Sequence, residues 1–253
     1  MTRDPRTLRC EDGATIAYHF TPGKSPGVVF LTGFMSDMDG AKALAVEAWA
    51  GARGRAIVRF DYTGHGASSG EFADGTIGRW AADAVLVLDR VAEGPQVLVG
   101  SSMGGWIMLL AAMARPKRVA GLLGSAAAPD FTRDLLTSML TADQRRTIEK
   151  DGLVMVSNDY GEAPYPISMT LIEEARNHML LGSEIPIDCP VRLIHGLKDS
   201  DVPWETSQRL SESLGSNDVE VILVKDGDHR LSEDRDLARL TAVLESLIDF
   251  IGG

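Results

Sequence analysis

Gly100-Ser101-Ser102-Met103-Gly104 carries the clearest chemical content in this chain. Ser102 stands between glycines two residues away on each side. The apolar run Val97-Leu98-Val99 precedes it, and the helix-forming stretch Trp106-Ile107-Met108-Leu109-Leu110-Ala111-Ala112 follows. That is the strand–turn–helix form of G-x-S-x-G, a turn so sharp that the serine backbone is strained and larger flanking residues would clash. The N-terminus of the following helix favours a developing negative charge. Ser101 occupies the second position of the pattern and lacks the glycine on its far side. The chemistry implied is attack by the Ser102 hydroxyl, which needs a base, which in turn needs an orienting carboxylate.

An elbow of this kind has its partners in the chain order serine, then Asp or Glu, then histidine. The run Val191-Arg192-Leu193-Ile194 leads into His195-Gly196-Leu197-Lys198-Asp199-Ser200-Asp201-Val202-Pro203, and Asp199 is the expected acid. Asp201 competes, but Val202-Pro203 is expected to open the next helix, which makes Asp201 a helix-start residue. The run Val219 to Val224 leads into Lys225-Asp226-Gly227-Asp228-His229-Arg230, and His229 is the one histidine after Asp199. His65, in Asp61-Tyr62-Thr63-Gly64-His65-Gly66, precedes the serine and is read as a loop-stabilising residue. His195 is read as structural, His178 as part of an insertion, and His19 as lying near an edge hairpin.

A tetrahedral intermediate also needs two preorganised N–H donors. Met103, directly after the serine, and Phe34, in Thr32-Gly33-Phe34-Met35, are the expected pair, both acting through the main chain. Met35, Met38, Trp106, Phe131, Leu135, Leu136 and Met139 are candidates for an apolar acyl pocket, a role suited to flexible methionine. Packing alone would explain each of them as well.

These residues must be positioned by a scaffold, and its elements are legible. Short apolar runs recur at Val28 to Leu31, Ala56 to Phe60, Val97 to Val99, Val119 to Leu123, Val191 to Ile194 and Val219 to Val224. Most lack strict alternation, as for strands buried on both faces. Ile77, Trp80, Ala81, Ala84, Val85 and Leu88 make one helical stripe; Leu237, Leu240, Leu244, Leu247, Ile248 and Ile251 make another. The alternation predicts an α/β fold: a mostly parallel, doubly wound sheet of about eight strands, with chemistry at the carboxyl ends of the strands. Leu8-Arg9-Cys10 and Ile16-Ala17-Tyr18, joined through Glu11-Asp12-Gly13, predict an antiparallel hairpin at the N-terminal edge.

Between about residues 129 and 188 the alternation stops, so one domain spanning 1–253 with a helical lid insertion is expected. Within the insertion, Phe131 to Leu140 reads as helical. Thr141-Ala142-Asp143-Gln144 opens a second helix through a capping box, and Ala163-Pro164-Tyr165-Pro166 makes a turn. A third helix is expected from about Met169 to Leu180.

The 253 residues carry 36 Asp and Glu against 25 Lys and Arg, a net charge of −11, and no basic stripe. That argues against nucleic acid and anionic membrane surfaces as partners. Cys10 and Cys189 form no metal-ligand spacing, so neither metal nor cofactor is expected, and a reducing compartment fits. No apolar run would span a bilayer, and no leader opens the chain, so a cytoplasmic location is expected.

Taken together, these motifs resemble the α/β-hydrolase superfamily. Within it they resemble the branch of the palmitoyl-protein thioesterase, also called mycophenolic acid acyl-glucuronide esterase, and its bacterial relatives. The residues carrying the resemblance are Gly33-Phe34-Met35-Ser36 with Gly40 to Leu44, Arg59-Phe60-Asp61-Tyr62, Val99 to Trp106, Arg192 to Asp199, Val202-Pro203-Trp204 and Asp228-His229-Arg230. The resemblance implies hydrolysis of small-molecule acyl esters, acyl glucuronides or S-acylated protein thioesters. Many relatives have His-Gly where this chain has Thr32-Gly33, a departure that removes no main-chain donor. Two other readings stand beside it. A serine aminopeptidase or lactonase would use the same triad; for the peptidase, Glu173-Glu174 is the one candidate to hold a free amine. A non-catalytic ligand receptor would not label with a fluorophosphonate.

Overall fold

The computed structural model describes residues 4–135, 139–157 and 164–252. Eight strands form one sheet: β1 (Arg6–Arg9), β2 (Thr15–Thr21), β3 (Lys24–Leu31), β4 (Arg55–Phe60), β5 (Gln96–Ser101), β6 (Val119–Ser125), β9 (Val191–Gly196) and β10 (Val219–Val224). Their order across the sheet is β1-β2-β4-β3-β5-β6-β9-β10. β1 and β2 pair antiparallel, as does β2 with β4, and the remaining pairs are parallel. This is the α/β-hydrolase fold, with the expected antiparallel hairpin at one edge.

Side-chain alternation along the central strands explains why their sequences are apolar throughout. Val29 and Leu31 of β3 and Leu98 of β5 enter one core with Trp80, Leu88 and Ile107. Val28, Phe30, Val97 and Val99 enter a second core on the opposite face with Val46, Trp49, Leu240 and Leu244. Each strand therefore buries both faces under helices, so period-two polarity would leave charges in the core. The helices α2 (Ile77–Arg90) and α3 (Met103–Ala114) cover the first face, while α1 (Ala41–Ala52) and α7 (Asp234–Gly252) cover the second. Thr76 caps α2 by accepting a hydrogen bond from the Arg79 N–H at 3.1 Å.

The segment between β6 and β9 departs from its expected form in two places. Phe131–Asp134 is helical as expected, in the tighter 3-10 form, and Leu136 lies outside the described residues. α4 (Ala142–Asp151) opens as expected: the Thr141 hydroxyl accepts from Gln144 N, and the Gln144 side chain accepts from Thr141 N. Where a Pro/Tyr-rich turn was expected, β8 (Tyr165–Ser168) pairs antiparallel with β7 (Leu153–Val156); Ala163 lies outside the described residues. Val154 and Ile167, opposite each other in register, feed a small core with Leu135, Leu140, Ile148 and Ile172. Pro166 is tolerated because this two-stranded ribbon has free edges.

The third helix, α5 (Met169–Ala175), gives way to a 3-10 turn at Arg176–His178 instead of running to Leu180. The N–H groups of Leu180 and Leu181 are taken at 2.8 and 2.9 Å by the buried Asp130 carboxylate, so they cannot continue a helix ladder. Beyond β9, α6 (Glu205–Ser213) starts later than expected, which leaves Asp201 in the loop and not at a helix start.

Candidate active site

Ser102 joins β5 to α3 with φ 53° and ψ −120°, a region that non-glycine residues avoid. The surrounding structure over-determines this geometry. A Cβ on Gly100 would lie 2.4 Å from the Gly104 carbonyl oxygen, and a Cβ on Gly104 would lie 2.2 Å from that of Leu31. Only glycine at both places lets α3 start this close to β3 and β5. The Ser102 N–H donates to Ser125 O at 3.0 Å, while its carbonyl accepts from Gly105 N and Ala128 N. Strand β6 thus helps to fix the turn.

Three parallel-strand loops converge on this serine. His229, after β10, places Nε2 3.0 Å from Ser102 Oγ and Nδ1 2.8 Å from Asp199 Oδ2. Asp199 follows β9, and its side chain is fully buried. Its Oδ1 accepts from Asp201 N at 2.9 Å and Val202 N at 2.8 Å. Burial alone would raise its pKa, but hydrogen bonds from His195, His229 and Val202 N–H outweigh that and hold the carboxyl well below the usual range. It is therefore an anion at neutral pH. Asp201, the alternative acid, contributes its backbone N–H to Asp199.

Gly33 packs directly on the serine, since a Cβ there would lie 3.5 Å from Ser102 Cβ. The Phe34 peptide is consequently a neighbour of Ser102 on one side, and Met103, the first residue of α3, on the other. The loop after β3 also includes Met35 at φ 54°. It is tied down through Met38: the Met38 N–H donates to Asp61 Oδ1 at 2.6 Å, and the Met38 carbonyl accepts from Arg59. Arg59 also reaches Asp39 and Glu47, and Asp61 Oδ2 accepts from Ala67 N. Burial raises the Asp61 carboxyl to about 6 despite these donors. This Arg59–Asp61 clamp was not anticipated, though a charged pair ending an apolar strand was its available signal.

Met38, offered as pocket lining, is buried, and its backbone anchors this clamp. Trp106 is likewise buried in the sheet core and donates its indole N–H to His178 O. Leu135 belongs to the small core of the insertion, whereas Met35 and Met139 are exposed. The ring of Phe34 is the meeting point: Phe72, Trp80, Phe131 and Tyr165 lie 4.7, 6.1, 5.7 and 5.6 Å from it, edge-on. Phe131 and Tyr165 come from the insertion, and sequence patterning did not single out Tyr165. Glu174 accepts from Gly78 N and pairs with His178 at 2.6 Å, so its carboxylate is engaged with the fold. His65 is buried among Tyr62, Phe72 and Trp80, consistent with a loop-stabilising role. Two open surface depressions of about 460 and 420 Å³ lie near Gly182 and between α1 and α7, neither lined by Ser102, Asp199 or His229.

A glycine-flanked serine on a strained turn, at the carboxyl edge of this sheet, defines a hydrolase scaffold, and comparison with known proteins places it. The chain belongs to the alpha/beta hydrolase family, whose model matches residues 28–243. It is 43% identical to human "Palmitoyl-protein thioesterase ABHD10, mitochondrial" over 243 residues, which are 96% of this chain and 79% of that protein. The structure of alpha/beta hydrolase domain-containing protein 10 from mouse superposes with a TM-score of 0.90 at 43% identity, covering 98% of this chain and 100% of that one. A crystal structure of a protein from Agrobacterium vitis S4 gives 0.89 at 37% identity, covering 97% and 100%. Among the described residues, no helix is long and apolar enough to cross a membrane.

Proposed function

We propose that this chain is a serine hydrolase of acyl esters and thioesters, acting through an acyl-enzyme on Ser102. The carrying observation is the single line of contacts from Ser102 Oγ to His229 Nε2 at 3.0 Å and from His229 Nδ1 to Asp199 at 2.8 Å. In this reading His229 takes the hydroxyl proton as Ser102 Oγ attacks the acyl carbon. The oxyanion forms between the Phe34 and Met103 N–H groups, which need not reorganise during the step. His229 then passes the proton to the departing sulfur or oxygen. Water, deprotonated by His229, attacks the acyl-enzyme, and the acid leaves as His229 returns the proton to Ser102 Oγ. Asp199 holds the imidazole with its hydrogen on Nδ1 and stabilises the imidazolium.

The substrate class rests on the relatives and on the Phe34 environment. The names of the curated relatives support an S-acyl thioester, and the sequence resemblance adds acyl glucuronides. The insertion serves as a lid on a single hydrolase domain, bringing Phe131 and Tyr165 to Phe34 and favouring apolar acyl groups. Of the pair offered to a peptidase's amine, Glu174 is engaged with Gly78 N and His178, and Glu173 is exposed on α5.

The test is kcat/KM for matched acyl oxygen esters, acyl thioesters and an acyl glucuronide, with Ser102→Ala as control. Ser102→Ala is expected to lower kcat by roughly a millionfold and to abolish fluorophosphonate labelling. Turnover that survives in Ser102→Ala, or a preference for amides, would overturn the reading. Equal rates on acetyl and long-chain esters would sink the apolar acyl preference alone.

A further inference from the structure

His195 occupies the fifth position of β9, on the strand face that carries Val191 and Leu193 into the sheet core. A fully buried imidazole there displaces an aliphatic side chain and needs partners for both nitrogens. It has three. Nδ1 lies 2.7 Å from the hydroxyl of Ser207, itself fully buried on α6. Nε2 lies 3.1 Å from Asp199 Oδ2 and 3.0 Å from the Val202 carbonyl. Both of those neighbours are acceptors, so Nε2 must carry the hydrogen, and Ser207 then donates to Nδ1.

Asp199 Oδ2 consequently accepts from two imidazoles, His229 on the reacting side and His195 on the interior side. Its other oxygen accepts from two backbone N–H groups. We infer that His195 is a positioning residue that fixes and partly disperses the Asp199 charge, so that the reacting chain of groups runs from Ser102 through His229 and Asp199 to His195 and Ser207. A histidine that only filled space could have faced any acceptor. This one shares a carboxylate oxygen with His229, so removing it changes both where that oxygen points and how much charge it presents.

The inference rests on the proposed triad and is tested with two substitutions. His195→Leu removes the donor. It is expected to lower kcat ten- to a hundredfold with KM within about twofold, as for loss of one hydrogen bond to a charged group. The acid limb of the kcat/KM profile should move to higher pH, because a less dispersed Asp199 charge holds the His229 imidazolium more firmly. His195→Gln keeps an N–H donor and should restore most of the turnover and the limb. The other charged groups around these loops are Lys42 of α1, Asp228 and Arg230 beside His229, Asp201 beside Asp199, and Asp236 of α7. They are unchanged in both variants.

Equal losses in the Leu and Gln variants with an unmoved acid limb would overturn the inference. Should His195→Leu fail to fold, 15N NMR of histidine-labelled wild type decides instead. Hydrogen on Nε2 supports the inference, and a neutral ring with hydrogen on Nδ1 overturns it. Ser102→Ala in the same series separates the two layers. If it is dead while the His195 variants match wild type, the triad stands and this inference falls; if it retains turnover, both fall.

Discussion

The elbow at Ser102 and the insertion after β6 both reach Phe34, yet they are held in contrasting ways. Every residue of β5 is buried, and Gly100 and Gly104 sit where even a methyl group would collide with backbone oxygen at 2.4 and 2.2 Å. Among the described residues of the insertion, Leu135, Leu140, Ile148, Val154, Ile167 and Ile172 form a small core of their own. Leu171, Ala175, Leu180 and Leu181 pack into the sheet core instead, and α4 buries only Ile148. The insertion's ends are tied together by the Asp130 carboxylate, which accepts from Leu180 N and Leu181 N, and by Arg133, which reaches both Asp130 and Leu181 O. Ser102, the proposed nucleophile, sits on the densely packed part, while Phe131 and Tyr165 come from the part with less local burial and lower expected local stability. Such a division suits the proposed reaction, one fixed chemistry on acyl groups of different shape.

The strongest way to break this contrast is Gly104→Ala. Its Cβ would meet backbone, not a movable side chain, so a loss of more than about 4 kcal/mol is expected, read as a collapse of the denaturant midpoint. A mild effect would mean that the elbow yields as readily as the insertion.

Asp130→Ala probes the other side. It leaves two buried N–H groups without their acceptor, at about 3 kcal/mol, but the damage should stay local. Limited proteolysis should cut the insertion first and KM for long-chain substrates should rise, with fluorophosphonate labelling of Ser102 retained. Loss of labelling together with the insertion would show that the two regions fold as one unit.

A smaller effect sharpens the comparison through pH. Burial lowers the His65 pKa to about 4, so the folded state binds fewer protons than the unfolded state between about pH 6.5 and 4. Stability from this group is full above 6.5 and falls as pH drops toward 4, by about 2 kcal/mol at pH 4.5. Asp61, raised to about 6, acts oppositely, adding stability as pH falls through 6. In His65→Phe the His65 contribution is gone and that of Asp61 is unchanged. The variant's Tm relative to wild type should therefore climb by about 5 °C between pH 7 and 4.5. A constant difference would show that His65 is not held neutral by its aromatic surroundings. The smallest change, Thr141→Ala, removes the capping box of α4 at about 1 kcal/mol, visible as faster amide exchange confined to that helix.

Much of this architecture is readable from local rules. Continuous apolar runs marked the buried strands, and Gly100 and Gly104 marked the elbow because a steric limit two residues either side of Ser102 is a short-range fact. Thr141 and Gln144 announced the start of α4 for the same reason. Local rules failed where a distant group intervened. Helical patterning after Met169 ran on to Leu180, but Asp130, 50 residues earlier, claims those N–H groups. Tyr165-Pro166 read as a turn until the small core gave the ribbon a face to bury.

The sequence by itself determined the fold class, the strand runs, the nucleophile candidate and the order in which its partners follow, since each depends on side-chain type and short-range spacing. Tertiary structure alone decided the rest. It brought His229 to Ser102 across 127 positions and tied the Met38 backbone into the Arg59–Asp61 clamp. It also set His195 against the carboxylate that His229 uses. Those contacts form because parallel strands deliver their carboxyl ends, and the loops that follow, to one edge of the sheet, a convergence that no local pattern encodes.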